Sequence, residues 1–165
     1  QNASEMTEAR LARLKNSTTG EYAQDVANNI RASMQKHAAV FRTQEIMDKG
    51  VTSILEIEEQ VKHIHLRDKS QVFNTALVEA LEVDNLIEVA KATMISAAAR
   101  HECRGAHSVL DYERPENDPE HPLGRNDKEW MKHTLWYKEG NRLAYKPVNM
   151  KPLTVDTVPP KPRTF

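Results

Sequence analysis

The stretch that most constrains the fold runs from Gln71 to His107, where Phe73, Ala76, Leu77, Ala80, Val83, Ile87, Ala90, Met94 and Ala98 recur at steps of three and four. Side chains at those steps share one face of an α-helix. Leu81, Leu86, Val89 and Ile95 fall outside that stripe, which makes the helix too apolar around its girth to lie on a surface with one side covered. It is therefore expected to be the central helix. Gly105 follows the periodic run, and Arg100, His101 and Arg104 crowd its end. A glycine cap behind cations suits the negative end of a helix dipole, so the helix is expected to stop near Arg104.

Two further periodic segments precede it. Val26, Ile30, Met34, Ala38 and Phe41 mark a helix over 23–41. Thr43 can cap the next, over 44–66, whose Met47, Val51, Ile54, Ile57, Val61 and Ile64 alternate like a coiled-coil seam. Arg67 to Ser70 leaves a turn short enough to fold that helix back antiparallel to the central one, over 71–104. Ser4 to Lys15 reads as a short helix capped by Ser4, and Gln1 to Ala3 is set aside as an expression remnant.

All eight prolines lie after Arg114, together with both tryptophans. The chain thus divides into a helical bundle over 4–112 and an irregular proline-containing extension over 113–165. Glu113 to Asp127 reads as loop, and Trp130 to Tyr137 with Leu143 to Val148 reads as a small hairpin about Gly140. Extended chain is expected after Pro152. The fold class is all-α, an antiparallel three-helix bundle with a short N-terminal helix and an extended tail.

Composition narrows the function. A formal charge of −1 gives no electrostatic reason to bind nucleic acid. No apolar run approaches the roughly 20 residues of a membrane-spanning helix, and no signal-peptide core is seen, so the chain is expected neither to span a membrane nor to be exported. Cys103 is the single cysteine, which excludes an internal disulfide and favours a reducing compartment. The five glycines are isolated, without the glycine-rich turn that admits a dinucleotide pyrophosphate.

Several side chains invite chemistry. His101, Cys103 and His107 contain metal-ligating types, but on a helix they diverge and lack a fourth ligand at zinc spacing. His63 and His65 read as a solvated pair. Asp84 and Lys91 fall close to the apolar stripe and need partners if buried: Lys91 can reach Glu88 or Asp84, or either residue can face a further domain. Trp130, Trp136 and Tyr137 beside Lys132 and His133 could imitate a nucleic-acid stacking platform; a tail folded back over the bundle or a neighbouring domain explains them better. The proline-rich ending from Pro159 to Phe165 has the composition of a groove ligand.

The runs Glu82 to Leu86, Ala97 to Arg100 and Glu102-Cys103-Arg104-Gly105-Ala106-His107 resemble the C-terminal helical domain of the succinate dehydrogenase and fumarate reductase flavoproteins. The likeness extends to Met34-Gln35, Val40-Phe41-Arg42, Val148 to Met150 with Pro152, and the ending Pro159 to Phe165, covering nearly the whole chain. Cys103 stands where that family usually has serine, Val109 where an arginine is common, and Asn126 interrupts an Arg-Asp-Asp. The resemblance implies a parent subunit that oxidises succinate to fumarate, passing hydride to covalently held FAD and electrons to an iron-sulfur subunit and quinone. It implies a peripheral location at the cytoplasmic face of the inner membrane or the mitochondrial matrix side.

The flavin attachment, the proton-transferring arginine and the dicarboxylate ligands of that family lie upstream, so no catalytic, cofactor or metal residue is assigned here. Arg104, His107, Trp130 and Arg163 are instead assigned to an interface with the FAD-binding domain. A plainer account makes Arg104 a dipole partner and His107 a loop histidine satisfied by backbone. Fumarate reductase, L-aspartate oxidase and a free-standing helical interaction module are the competing readings. The apolar area of a bundle without its neighbour is expected to drive a non-native homodimer.

Overall fold

A computed structural model describes residues 2–161. Helix α1 spans Ala3–Asn16, α2 Ala23–His37, α3 Gln44–Lys62 and α4 Thr75–Ala98. A single turn, α5, covers Asp127–Trp130, and strands β1 (Lys132–Tyr137) and β2 (Arg142–Pro147) follow. Helices α2, α3 and α4 pack pairwise on one another, and β1 lies against α4. The expected three-helix bundle with a C-terminal hairpin is what forms.

The core follows the periodic residues. Val26 and Ile30 from α2, Met47, Ile54, Ile57 and Val61 from α3, and Ala80, Val83, Ile87, Ala90, Met94 and Ala98 from α4 are all buried. Gly50 of α3 marks the tightest crossing: a Cβ there would stand 2.6 Å from His37 Cβ and 2.7 Å from Met94 Sδ. The missing side chain is what lets α2, α3 and α4 meet at one level.

Every long helix is shorter than its periodicity suggests, and in each case another group takes the backbone bonds. Helix α2 ends at His37 rather than 41 because Arg42 donates to the carbonyls of Ala38 and Ala39, both at 2.8 Å, closing the terminus from outside. Helix α3 ends at Lys62 rather than 66: Ile64 bridges to Glu21, and His65 N–H donates to the Glu21 carbonyl at 2.8 Å. Helix α4 starts at Thr75, not 71, since Asn74 caps it by accepting from Leu77 N–H at 2.8 Å. Phe73, placed on the core stripe by spacing, is instead 97% exposed at φ 50.

The expected stop near Arg104 is also corrected. Helix α4 ends at Ala98, and Gly105, at φ +56, serves a reverse turn in which Arg104 and His107 exchange backbone hydrogen bonds of 2.8 and 3.0 Å. Asn2, not Ser4, caps α1, with a reciprocal bond from its own N–H to Glu5. Trp130, expected to open the strand, lies in α5. In the hairpin Thr134 faces Tyr145 and Trp136 faces Leu143, and Gly140 and Asn141 turn the chain at positive φ.

Candidate interface site

The segment between α4 and the hairpin is built around Glu102, whose side chain has no exposure. Residues Arg100, Glu102 and Arg104 alternate along non-helical chain. Glu102 Oε1 accepts from Arg100 Nη1 at 2.6 Å and Arg104 Nε at 2.7 Å, while Oε2 accepts from Arg104 Nη2 at 3.0 Å and Asn126 N–H at 2.9 Å. A carboxylate so surrounded meets the demand that a buried charge be paired and hydrogen-bonded. Arg100 also donates to the carbonyls of Trp130 (3.1 Å) and Lys132 (2.8 Å), so the cluster fastens the tail to the bundle.

Arg104 Nη2 also donates to Asp127 at 2.6 Å, and its Nη1 is directed at Met131 Sδ at 4.0 Å. His107 lies beside it across the turn. Its Nδ1 sits 3.0 Å from Arg42 Nη1, and because arginine only donates, Nδ1 accepts and Nε2 carries the proton toward the Arg100 carbonyl, also at 3.0 Å. Burial, reinforced by the Arg42 and Arg100 charges, pushes the His107 pKa below 6.5. The imidazole is therefore a neutral bridge joining the end of α2 to the end of α4.

Of the residues assigned to an interface from sequence, the fold brings Arg104, His107 and Trp130 into one region, and Arg163 lies outside the described residues. Trp130 is buried, with its ring edge-on to His101 and Tyr145 at centroid separations of 6.0 and 5.8 Å. Glu102 and Arg42, which organise the region, were missed. The alternation of Arg100, Glu102 and Arg104 carried the signal, since alternate residues of extended chain share a face.

Elsewhere the polar positions near the stripe are satisfied internally. Asp84 accepts from Arg10 at 2.6 Å and from Arg13 at 2.8 Å. Lys91, almost wholly buried, pairs with Glu58 and lies 3.3 Å from Glu88; Glu88, not Asp84, is its partner on α4. Burial raises the Cys103 thiol pKa, which keeps it protonated and unreactive.

No group of three or more His, Cys, Asp or Glu side chains suited to a metal occurs among the described residues. Added Cβ atoms at Gly20, Gly50 and Gly124 would meet His63 O at 1.8 Å, His37 Cβ at 2.6 Å and Tyr112 O at 2.3 Å, so these glycines serve internal packing rather than cofactor approach. Strands β1 and β2 are the whole sheet among the described residues. Nor is any described helix long and apolar enough to cross a membrane.

The fold is thus a helical bundle with a hairpin tail, fastened by an arginine-carboxylate cluster. Residues 27–165 match the family model described as fumarate reductase flavoprotein C-term, and the chain belongs to that family. It is 43% identical over 162 residues to the succinate dehydrogenase flavoprotein subunit of Rickettsia bellii, covering 95% of this chain and 26% of that one. With the corresponding Coxiella burnetii subunit the identity is 39%, covering 94% and 24%. A solved E. coli quinol fumarate reductase variant superposes with a TM-score of 0.78 at 29% identity, over 95% of this chain and 26% of that chain. The chain spans about a quarter of the length of the curated relatives it matches.

Proposed function

We propose that this chain serves as the C-terminal helical domain of a succinate dehydrogenase flavoprotein subunit, bracing an FAD-binding domain supplied by the rest of the parent polypeptide. The observation that carries the reading is the 43% identity to a succinate dehydrogenase subunit across 95% of the chain. The parent oxidises succinate to fumarate with FAD, delivers electrons to an iron-sulfur subunit and onward to quinone, and sits peripherally on the inner membrane through that complex. The helical domain contributes shape and rigidity to this assembly.

The interface with the flavin domain lies around Arg104, His107 and Trp130. The donors of Arg104 and His107 already serve Glu102, Asp127 and the Arg100 carbonyl, so they act as positioning residues that hold the surface in shape. The likeness to a quinol fumarate reductase supports a second reading, in which the parent works in the fumarate-reducing direction.

The test compares the full-length parent subunit with the 165-residue chain. The subunit is expected to carry FAD and to reduce an artificial dye with succinate, whereas the shorter chain does neither. Flavin fluorescence quenching by the shorter chain, or dye reduction by it, would overturn the proposal. A parent faster at fumarate reduction under matched driving force would select the second reading.

A further inference from the structure

Between α2 and α3 the Arg42 guanidinium holds the carbonyls of Ala38 and Ala39, just past the end of α2. The Arg42 backbone bridges in parallel to Val109, with Leu110 N–H donating to the Arg42 carbonyl at 2.9 Å. Val109 is fully buried and Arg42 turns toward His107, while the residues flanking the bridge, Phe41 and Leu110, stand exposed. Val40, Phe41 and Leu110 are 72%, 77% and 47% exposed.

This apolar surface comes from two distant segments and rests on the most heavily cross-linked part of the molecule. Beneath it run the Arg42–His107 contact, the bond from His107 to the Arg100 carbonyl and the Glu102 cluster. A rigid apolar surface whose polar neighbours are already satisfied loses little entropy on docking and offers few free donors to a polar partner. We propose that Val40, Phe41 and Leu110 form the surface on which the preceding part of the same polypeptide docks, through apolar contact rather than ion pairs from Arg104 and His107. The inference rests on the chain being the C-terminal domain of a longer subunit, and it names where that subunit's remainder sits.

The size of the surface selects this occupant over a second copy. Three side chains bury at most a few hundred Å² on each partner, short of the roughly 1,000 Å² that a stable free association needs. A covalently linked partner arrives at a high effective concentration, so a small apolar contact suffices. The curated relatives place about three quarters of their length outside the region matched here, which supplies such a partner.

Hydroxyl-radical footprinting of the full-length subunit and of the 165-residue chain reads side-chain accessibility directly. Labelling of Phe41 and Leu110 is expected to fall in the full-length subunit to the level of buried Trp130, and the charged variant Phe41→Glu is expected to restore labelling at Leu110. If both label equally in the two forms while another exposed side chain such as Phe73 becomes protected, the proposed surface is overturned and the domain reading stands. If no exposed side chain becomes protected, both fall. Loss of labelling at Leu110 that persists in the Phe41→Glu subunit would also overturn the proposed surface.

Discussion

Arg104 grips Glu102 bidentately through one edge of its guanidinium, Nε to Oε1 at 2.7 Å and Nη2 to Oε2 at 3.0 Å. The pair closes the turn after α4 and, through Asp127 and Asn126, holds the start of α5. Glu102→Ala leaves Arg100 and Arg104 without their buried counter-charge. Breaking a buried ion pair from one side costs about 3–5 kcal/mol. A urea unfolding series is expected to show a lowered midpoint of that size, with a changed native Trp130 fluorescence, because Arg100 would lose its anchor near the Trp130 carbonyl.

Lys91 makes a different kind of pair. Its ammonium is buried between Glu58 and Glu88, which keep a quarter of their side-chain surface exposed. Lys91→Met takes from Glu58 its ion-pair partner and leaves Glu88 with Lys138 alone, at 2.9 Å, and is expected to cost about 1–3 kcal/mol. Adding Glu58→Gln and Glu88→Gln removes both carboxylate charges and is expected to recover most of that loss. Chemical denaturation of the single and triple variants checks the ordering.

The His107 pKa is pushed below 6.5 by burial in the folded state. Above 6.5 both folded and unfolded forms hold a neutral ring, so its contribution to stability is fully present. As pH falls below 6.5 the unfolded chain takes up a proton first, and stability is lost until pH drops below the folded pKa. His107→Gln retains an acceptor and a donor without titrating. The difference between wild-type and variant stability is expected to change across that window and to be flat above it, as measured by denaturant midpoints at a series of pH values.

Gly50→Ala sets helix propensity against packing. Alanine gains about 1 kcal/mol over glycine in an open helix, yet here the new methyl meets His37 Cβ at 2.6 Å. That atom is fixed by the α2 backbone and cannot swing away. Overpacking of this kind costs about 1–3 kcal/mol, so net destabilisation is expected and a lowered thermal midpoint would register it. Gly105→Ala meets no atom within 4 Å and carries only the cost of its left-handed backbone, which makes it the control.

Periodicity made the bundle legible because Ile54, Val83, Ile87 and Met94 bury by local rule: apolar, at helical spacing, on one face. The same rule failed at Phe73 and Phe41, where the spacing continues but the helix does not. Helix ends are decided by whichever group captures the terminal backbone bonds. Here those groups are Arg42 and Asn74 side chains and the Glu21 carbonyl, the last more than a helix away in sequence. The cluster around Glu102 was legible in outline through Arg104, His107 and Trp130. Glu102 was hidden from helical periodicity because its burial depends on Arg100 and Asn126 converging across a loop, and only its alternation with Arg100 and Arg104 pointed to it.

Leu14 is the one buried residue of α1; its other ties include Arg10 and Arg13 reaching Asp84, the Leu81 carbonyl and the Val61 carbonyl. Small ions weaken such attachments by screening them, while the oily interior formed by α2, α3 and α4 is indifferent to them. The first helix is thus a moored boat beside a stone pier: brine slackens its ropes long before it troubles the masonry.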